Sequence, residues 1–185
     1  MPVDPLIRAH NCVEHLNLSP KGHIAEFGIC QGETLNILAS EHKKQNAGFK
    51  YYGFDCWEGI PFVTKGIDGD LKVGELKGSK EKVLDIIKQK NLDNVILVDG
   101  LIEETLPQIN VKFSFCFLDL DIYWSTKTVV NWLGKGGLVK EGIIGLHDYK
   151  FRRTPGIHRI VKELDPKIWQ LLKKDYDTIF YKKII

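Results

Sequence analysis

The run Phe113-Ser-Phe-Cys-Phe-Leu118 has no polar alternation and ends abruptly at Asp119-Leu-Asp121. A strand that is apolar on both faces must be covered on both, which is the position of a central strand in a parallel sheet with helices above and below. The carboxyl end of such a strand lies at the rim where α/β proteins place their ligands. Two carboxylates there, at i and i+2, point to a metal ion or a proton-abstraction site.

The rest of the chain repeats the pattern. Leu6, Ile7, His10, Val13 and Leu16 fall at helical spacing over residues 4–17, predicting a leading amphipathic helix that Pro20-Lys-Gly22 ends. His23-Ile-Ala-Glu26-Phe27 reads as a first strand and Gly28-Ile-Cys-Gln-Gly32 as a turn. Glu33–Gln45 reads as a helix with Leu35, Ile37, Leu38 and Ala39 inside. Strands are expected at 50–55, 94–99 and 142–148. Helices are expected at 79–90, with Val83, Leu84, Ile86 and Ile87 inside, and at 125–133 and 155–164. Residues 56–78, rich in glycine and without period, read as a long loop of the kind that is usually functional. Ile168–Lys174 and Thr178–Ile185 read as a terminal hairpin. Alternating strands and helices predict an α/β fold with a doubly wound, mostly parallel, seven-stranded sheet and an antiparallel C-terminal hairpin. A single domain over 1–185 is expected, with 1–20 as a helical extension.

Composition narrows the function. The chain is 43% hydrophobic and 27% charged, as folded proteins are, and its net charge of +2 is too balanced to favour nucleic acid or a membrane surface. No apolar run approaches the ~20 residues that cross a bilayer. Cys12, Cys30, Cys56 and Cys116 are widely spaced and form no CxxC, so reduced thiols and a cytoplasmic location are expected. The partner expected is a small-molecule acceptor; self-association is left open.

Polar residues recur at the strand ends: Glu26 with its glycine turn, Asp55, Asp99, Asp119 with Asp121, and His147 with Asp148. Strand carboxyl ends share one edge of a parallel sheet, so these groups should converge. Gly28 and Gly32 permit positive φ and close approach of a ligand, although the G-x-G-x-x-G spacing of a dinucleotide fingerprint is absent. Asp55 is placed to accept ribose hydroxyls, and Asp99 lies where a nucleoside base could sit. Asp119, Asp121, His147 and Asp148 suit a divalent cation, Mg²⁺ by their oxygens and Mn²⁺, Fe²⁺ or Zn²⁺ by the imidazole. A carboxylate or imidazole beside it could take a proton from a substrate hydroxyl. Trp57, Phe62, Tyr123, Trp124 and Tyr149 follow these strand ends and are expected to line an acceptor pocket.

Taken in order, Glu26-Phe-Gly28-x-x-x-Gly32, Gly53-Phe-Asp55-Cys-Trp-Glu-Gly59-Ile-Pro61, Thr105-Leu-Pro107, Leu118-Asp119-Leu-Asp121-Ile-Tyr123-Trp-Ser125-Thr126, Gly136-Gly137 and His147-Asp148-Tyr149 resemble the macrocin O-methyltransferase family. These are class I S-adenosylmethionine-dependent enzymes with a Rossmann-like fold that methylate sugar hydroxyls of natural products. The resemblance covers roughly residues 22–165. It implies S-adenosylmethionine as cofactor, with Gly28 and Gly32 at its methionine end and Asp55 on its ribose; Glu26, Asp99 and Asp119 are counted in the same site. It further implies a divalent metal, Mg²⁺ or Mn²⁺, on Asp119, His147 and Asp148, with Asp121 as the base that deprotonates the acceptor; His147 is the second such group. The chain departs from the family where His147 replaces an acid, Cys56 a serine and Trp124 a common glutamate, and its N-terminal region is short. Two other readings stand beside this one. D-x-D also serves metal-dependent nucleotide-sugar glycosyltransferases, and a cofactor-binding subunit without catalysis would share the same motifs.

Overall fold

A computed structural model describes residues 4–45 and 48–185; residues 1–3 of the expected extension lie outside them. Helix α1 spans Pro5–Leu18, with the Asp4 carboxylate accepting from the Leu6 amide at 2.9 Å and proline in the first turn. Its buried stripe is Ala9, Cys12, His15 and Leu16, whereas Leu6 and Ile7 are exposed. The expected apolar face is thus rotated, because small residues let the helix lie close to its neighbours. The His15 ring stacks on Phe180 at 3.6 Å.

Strand β1 (His23–Phe27), helix α2 (Glu33–Gln45), strand β2 (Tyr51–Asp55), helix α3 (Lys80–Gln89) and strand β3 (Val95–Asp99) follow. Ser79 caps α3, but only Val83 of its expected inner face is fully buried and Leu84 is exposed. This helix covers the outer end of the sheet, where there is less to pack against. A short helix α4 (Ile102–Thr105) and a 3₁₀ turn (Leu106–Gln108) precede strand β4 (Phe113–Leu118). The sequence pattern had shown neither, since both are shorter than the window over which periodicity is read. Helix α5 (Tyr123–Trp132), strand β5 (Leu138–Leu146), helix α6 (Pro155–Glu163) and the hairpin β6 (Trp169–Asp175) and β7 (Thr178–Lys183) complete the chain.

The seven strands lie in the order β3-β2-β1-β4-β5-β7-β6. Strands β1 to β5 are parallel, and β7 runs antiparallel to both neighbours. Every residue of β4 is buried, as its lack of alternation requires. Cys116 and Leu118 face one apolar layer, and Phe115 and Phe117 the other. Each large side chain so buried contributes roughly 1.5–3 kcal/mol relative to exposure. Strand order reverses between β1 and β4, and there the connections leave in opposite directions and open a crevice. The Phe27 carbonyl accepts from the Asp119 amide at 2.8 Å, which holds the two strand ends side by side at that crevice. No described helix is long and apolar enough to cross a membrane.

Candidate active site

The crevice is a cavity of about 300 Å³, at the small end for ligand sites. Its lining includes Glu26, Gly28, Asp55, Asp119, Asp121, His147 and Asp148, so four of the five polar strand ends converge as expected. Gly28 has φ +91°, and a Cβ there would overlap the Asp119 carbonyl oxygen. Only glycine allows the β1 turn to pass this close to β4 and still leave room for a ligand.

Asp55 closes that turn. Its Oδ2 accepts from the amides of Ile29 and Cys30 at 2.9 and 2.8 Å, and its Oδ1 from the amide of Trp57 at 2.7 Å. A carboxylate has about four acceptor directions, so one remains free. Asp55→Ala is expected to strip an acceptor from three amides, costing about 1–3 kcal/mol in stability and loosening cofactor binding together. Thermal unfolding and titration of S-adenosylhomocysteine check this; loss of neither would remove Asp55 from the site.

Two residues expected at the cofactor do not line the cavity. Gly32 packs toward α3, where a Cβ would press on Val83 and Ile86. Asp99 is turned outward, its Oδ1 accepting from Trp57 Nε1 and its Oδ2 from Lys80 Nζ, both at 2.6 Å. None of the five aromatic residues expected in the acceptor pocket lines the cavity either. Tyr123 is buried with its hydroxyl on Glu163 at 2.7 Å, Trp124 is exposed, and Trp57 lies over Asp99. Apolar lining comes instead from Ile60, Leu71, Leu76, Leu101, Ile122 and Phe151.

Much of that wall is the 56–78 loop, which is folded. The buried Asp68 carboxylate accepts from the amides of Thr64 and Tyr123, both at 2.7 Å, tying the loop to the first turn of α5. This contact also explains why α5 begins two residues before the expected Ser125. Arg153 adds an ion pair to Glu75 at 3.0 Å.

Glu26 is 2% exposed and bonded to the Tyr51 hydroxyl. Burial, reinforced by the nearby Asp119 charge, pushes its carboxyl up to about 8 in spite of that hydrogen bond. It therefore enters the cavity as a neutral acid near pH 7.

Asp119, His147 and Asp148 come together, with one donor atom from each within 4.8 Å of the others. His147 Nδ1 lies 2.7 Å from Asp119 Oδ1 and 3.2 Å from Asp148 Oδ1. Its Nε2 lies 3.2 Å from Asp177 Oδ2, in the β6–β7 turn. From α1, Arg8 Nη1 reaches Asp119 Oδ2 at 3.3 Å and His147 Nε2 at 3.0 Å, while Nη2 is 3.8 Å from Glu33. Burial would lower the His147 pKa, but the charge and hydrogen bond of Asp119, with Asp177 and Asp148, raise it to about 10. The imidazolium thus donates to Asp119 and Asp177. Arg8 is held beside it by the charges of those same two carboxylates, not by a bond to the ring. Against its own burial, Asp119 is kept below the usual carboxylate range by His147 and Arg8.

Asp121 and Asp148 have φ of +62° and +58°, a backbone region that side chains seldom adopt and that clusters at working sites. Burial, then the charges of Asp119 and Asp148, push the Asp121 pKa well up. Asp148 is raised as well, chiefly by burial. The two are hydrogen-bonded to each other, so they share a proton and titrate as a pair.

Arg8 and Asp177 were not foreseen. Arg8 lies four residues before Cys12, on the stripe that α1 buries, where a cation requires a counter-charge, but the apolar pattern of the sequence had placed that stripe elsewhere. Asp177 carried no signal, being a turn acid like any other until the hairpin folds back on β5.

By atom type and spacing, Asp119, His147 and Asp148 could hold a divalent cation. Their surroundings do not fit one. A metal on Nδ1 would take the nitrogen that now contacts Asp119 Oδ1 at 2.7 Å, and it would add positive charge beside Arg8, whose Nη1 is 3.3 Å from the same carboxylate.

A glycine turn and a buried acid–base cluster at the switch point of a seven-stranded sheet with a reversed last strand define a class I methyltransferase fold. Residues 25–149 match the model of the methyltransferase domain family, and the chain belongs to that family. Among solved structures, it is similar to the O-methyltransferase NovP, with TM-score 0.77 and 23% identity over 97% of this chain and 79% of that one. The calicheamicin methyltransferase CalS11 gives TM-score 0.79 and 19% identity over 96% and 77% of the two chains. An O-methyltransferase from Bacillus cereus, in complex with SAH, gives 0.66 and 15% over 100% and 83%. No curated protein matches by sequence.

Proposed function

We propose that the protein transfers a methyl group from S-adenosylmethionine to a hydroxyl oxygen of a small acceptor. The observation that carries this reading is the cavity at the β1–β4 switch point, with a Cβ-free turn on one side and a basic carboxylate pair on the other. The cavity fits the cofactor, since Gly28 lets the β1 turn lie against the backbone of Asp119 with no side chain between them and Asp55 has an acceptor direction to spare. Glu26, Gly28 and Asp55 would hold the cofactor, which supplies an electrophilic sulfonium methyl when bound. Neutral Glu26 places no second anion beside its carboxylate end.

Asp121 takes the acceptor hydroxyl proton, sharing the charge of the pair with Asp148, whose mutual repulsion raises their proton affinity. The walls from Ile60 to Phe151 exclude water and align the hydroxyl, and alignment contributes much of the rate in such a displacement. CalS11 is described as a TDP-rhamnose 3′-O-methyltransferase. That, with the resemblance to macrocin O-methyltransferases, makes sugar hydroxyls the first acceptors to try.

Titration with S-adenosylmethionine and S-adenosylhomocysteine, followed by a screen of glycosides with labelled donor, tests the proposal. Asp121→Asn is expected to keep S-adenosylhomocysteine affinity within a few-fold and lose about 10²–10⁴ in rate. No binding of either ligand would sink the reading, and UDP-sugars would then be titrated.

A further inference from the structure

We propose that the guanidinium of Arg8 and the imidazole of His147 together take the place of a divalent cation in this site, so that it works without a metal. For its chemical role, activating an acceptor hydroxyl, the inference rests on the methyltransferase reading; for the exclusion of metal it rests on geometry alone.

The argument begins with Asp119. Each of its two oxygens already has a partner: Oδ1 has His147 Nδ1 at 2.7 Å and Oδ2 has Arg8 Nη1 at 3.3 Å. A metal held by both Asp119 and His147 would break the contact between them, since a ligating Nδ1 carries no hydrogen, and would set a second charge beside Arg8. Neither partner has elsewhere to go. The His147 ring is held from behind by Asp177 at 3.2 Å, and its side chain is 9% exposed. Arg8, at 14% side-chain exposure, is carried on a helix capped by Asp4 and packed along Cys12 and Leu16.

The two side chains also come as a matched departure. His147 brings an imidazole where an acid would complete three carboxylates, and Arg8 brings a permanent charge to the same carboxylate from the other end of the chain. A single His-for-acid exchange could leave a nitrogen-containing metal site. Histidine together with a guanidinium on one ligand makes a much poorer site, because the guanidinium has no lone pair to offer and keeps its positive charge beside the ion. Both Arg8 and His147 line the cavity beside Asp121. Arg8 Nε, moreover, is buried without a hydrogen-bond partner. Positive charge at that place stabilises a hydroxyl oxygen as Asp121 removes its proton, which is the service a metal ion would give.

Mn²⁺ titration of the full chain, read by electron paramagnetic resonance with S-adenosylhomocysteine present, tests this. The signal of free Mn²⁺ is expected to stay undiminished through the millimolar range, and chelator should leave S-adenosylhomocysteine affinity unchanged. The double variant Arg8→Met/His147→Asp removes the cation pair and restores the third acid. It is expected to bind Mn²⁺ at least about ten-fold more tightly than the parent. Micromolar Mn²⁺ binding by the parent, abolished by Asp119→Ala, would overturn the proposal. So would a double variant that keeps S-adenosylhomocysteine affinity yet gains no Mn²⁺. The parent titration decides the matter even if the double variant does not fold. Failure of the methyltransferase reading shows separately, as absence of S-adenosylhomocysteine binding in the parent.

Discussion

Asp119→Ala is expected to destabilise the protein by about 3–5 kcal/mol, the cost of leaving buried partners of an ion pair uncompensated. Arg8 and His147 would lose the carboxylate they share, leaving His147 to Asp148 and Asp177 and Arg8 to the more distant Glu33. The Asp119 side chain is 21% exposed, so the lower end of the range is expected. A metal site would behave in the opposite way. Deleting one acid from a cluster of acids that awaits a cation relieves repulsion and leaves the metal-free protein as stable or more so.

The pH dependence sharpens the test. His147 has its pKa raised from 6.5 to about 10, so its contribution is complete below 6.5 and is lost as pH rises through about 10. Asp119 has its pKa lowered from 3.8, so its contribution is present above 3.8 and is lost as pH falls through its folded value. The difference between parent and variant should therefore be greatest between pH 3.8 and 6.5 and shrink toward pH 10, where the pair with Arg8 alone persists. Urea unfolding of both proteins across this range measures it. A variant equal to or more stable than the parent near pH 6 would overturn the ion-pair account.

The second large effect belongs to Glu26, an acid whose pKa is raised from 4.5 to about 8. Between those values the folded state binds the proton that the unfolded state has released. Stability must then fall with rising pH at about 1.4 kcal/mol per pH unit for this one group. Glu26→Gln keeps the shape and can keep a hydrogen bond to the Tyr51 hydroxyl, but it carries no ionisable proton. The two proteins should be close in stability below pH 4.5, and the glutamine form should be the more stable by several kcal/mol above pH 8. Parallel stability–pH curves would show that Glu26 titrates normally and that the cavity is wetter than its packing indicates.

How far these features could be read in advance differs with the kind of residue. Asp119, Asp121, His147 and Asp148 stood out in the sequence because each follows an apolar run, and a parallel sheet places all such ends on one edge. Gly28 stood out because a turn joining a strand to a helix has few ways to be made. Gly32 and Asp99 obeyed the same local rules and yet face away from the cavity, one toward α3 and the other toward Lys80. Local pattern establishes which element a side chain belongs to; where the side chain turns depends on the neighbours it meets.

Strand, helix and glycine-turn signals are local, repeating every two or 3.6 residues, so the chain by itself determined the α/β sheet, its reversed terminal hairpin and the edge that carries the site. Arg8 meets Asp119 across 111 positions, Asp177 meets His147 across 30, and Asp68 meets Tyr123 across 55. No periodicity spans such distances. Only the tertiary structure, by laying α1 and the β6–β7 turn over the end of β4, decided that the acids of this site would be balanced by side chains of the same chain.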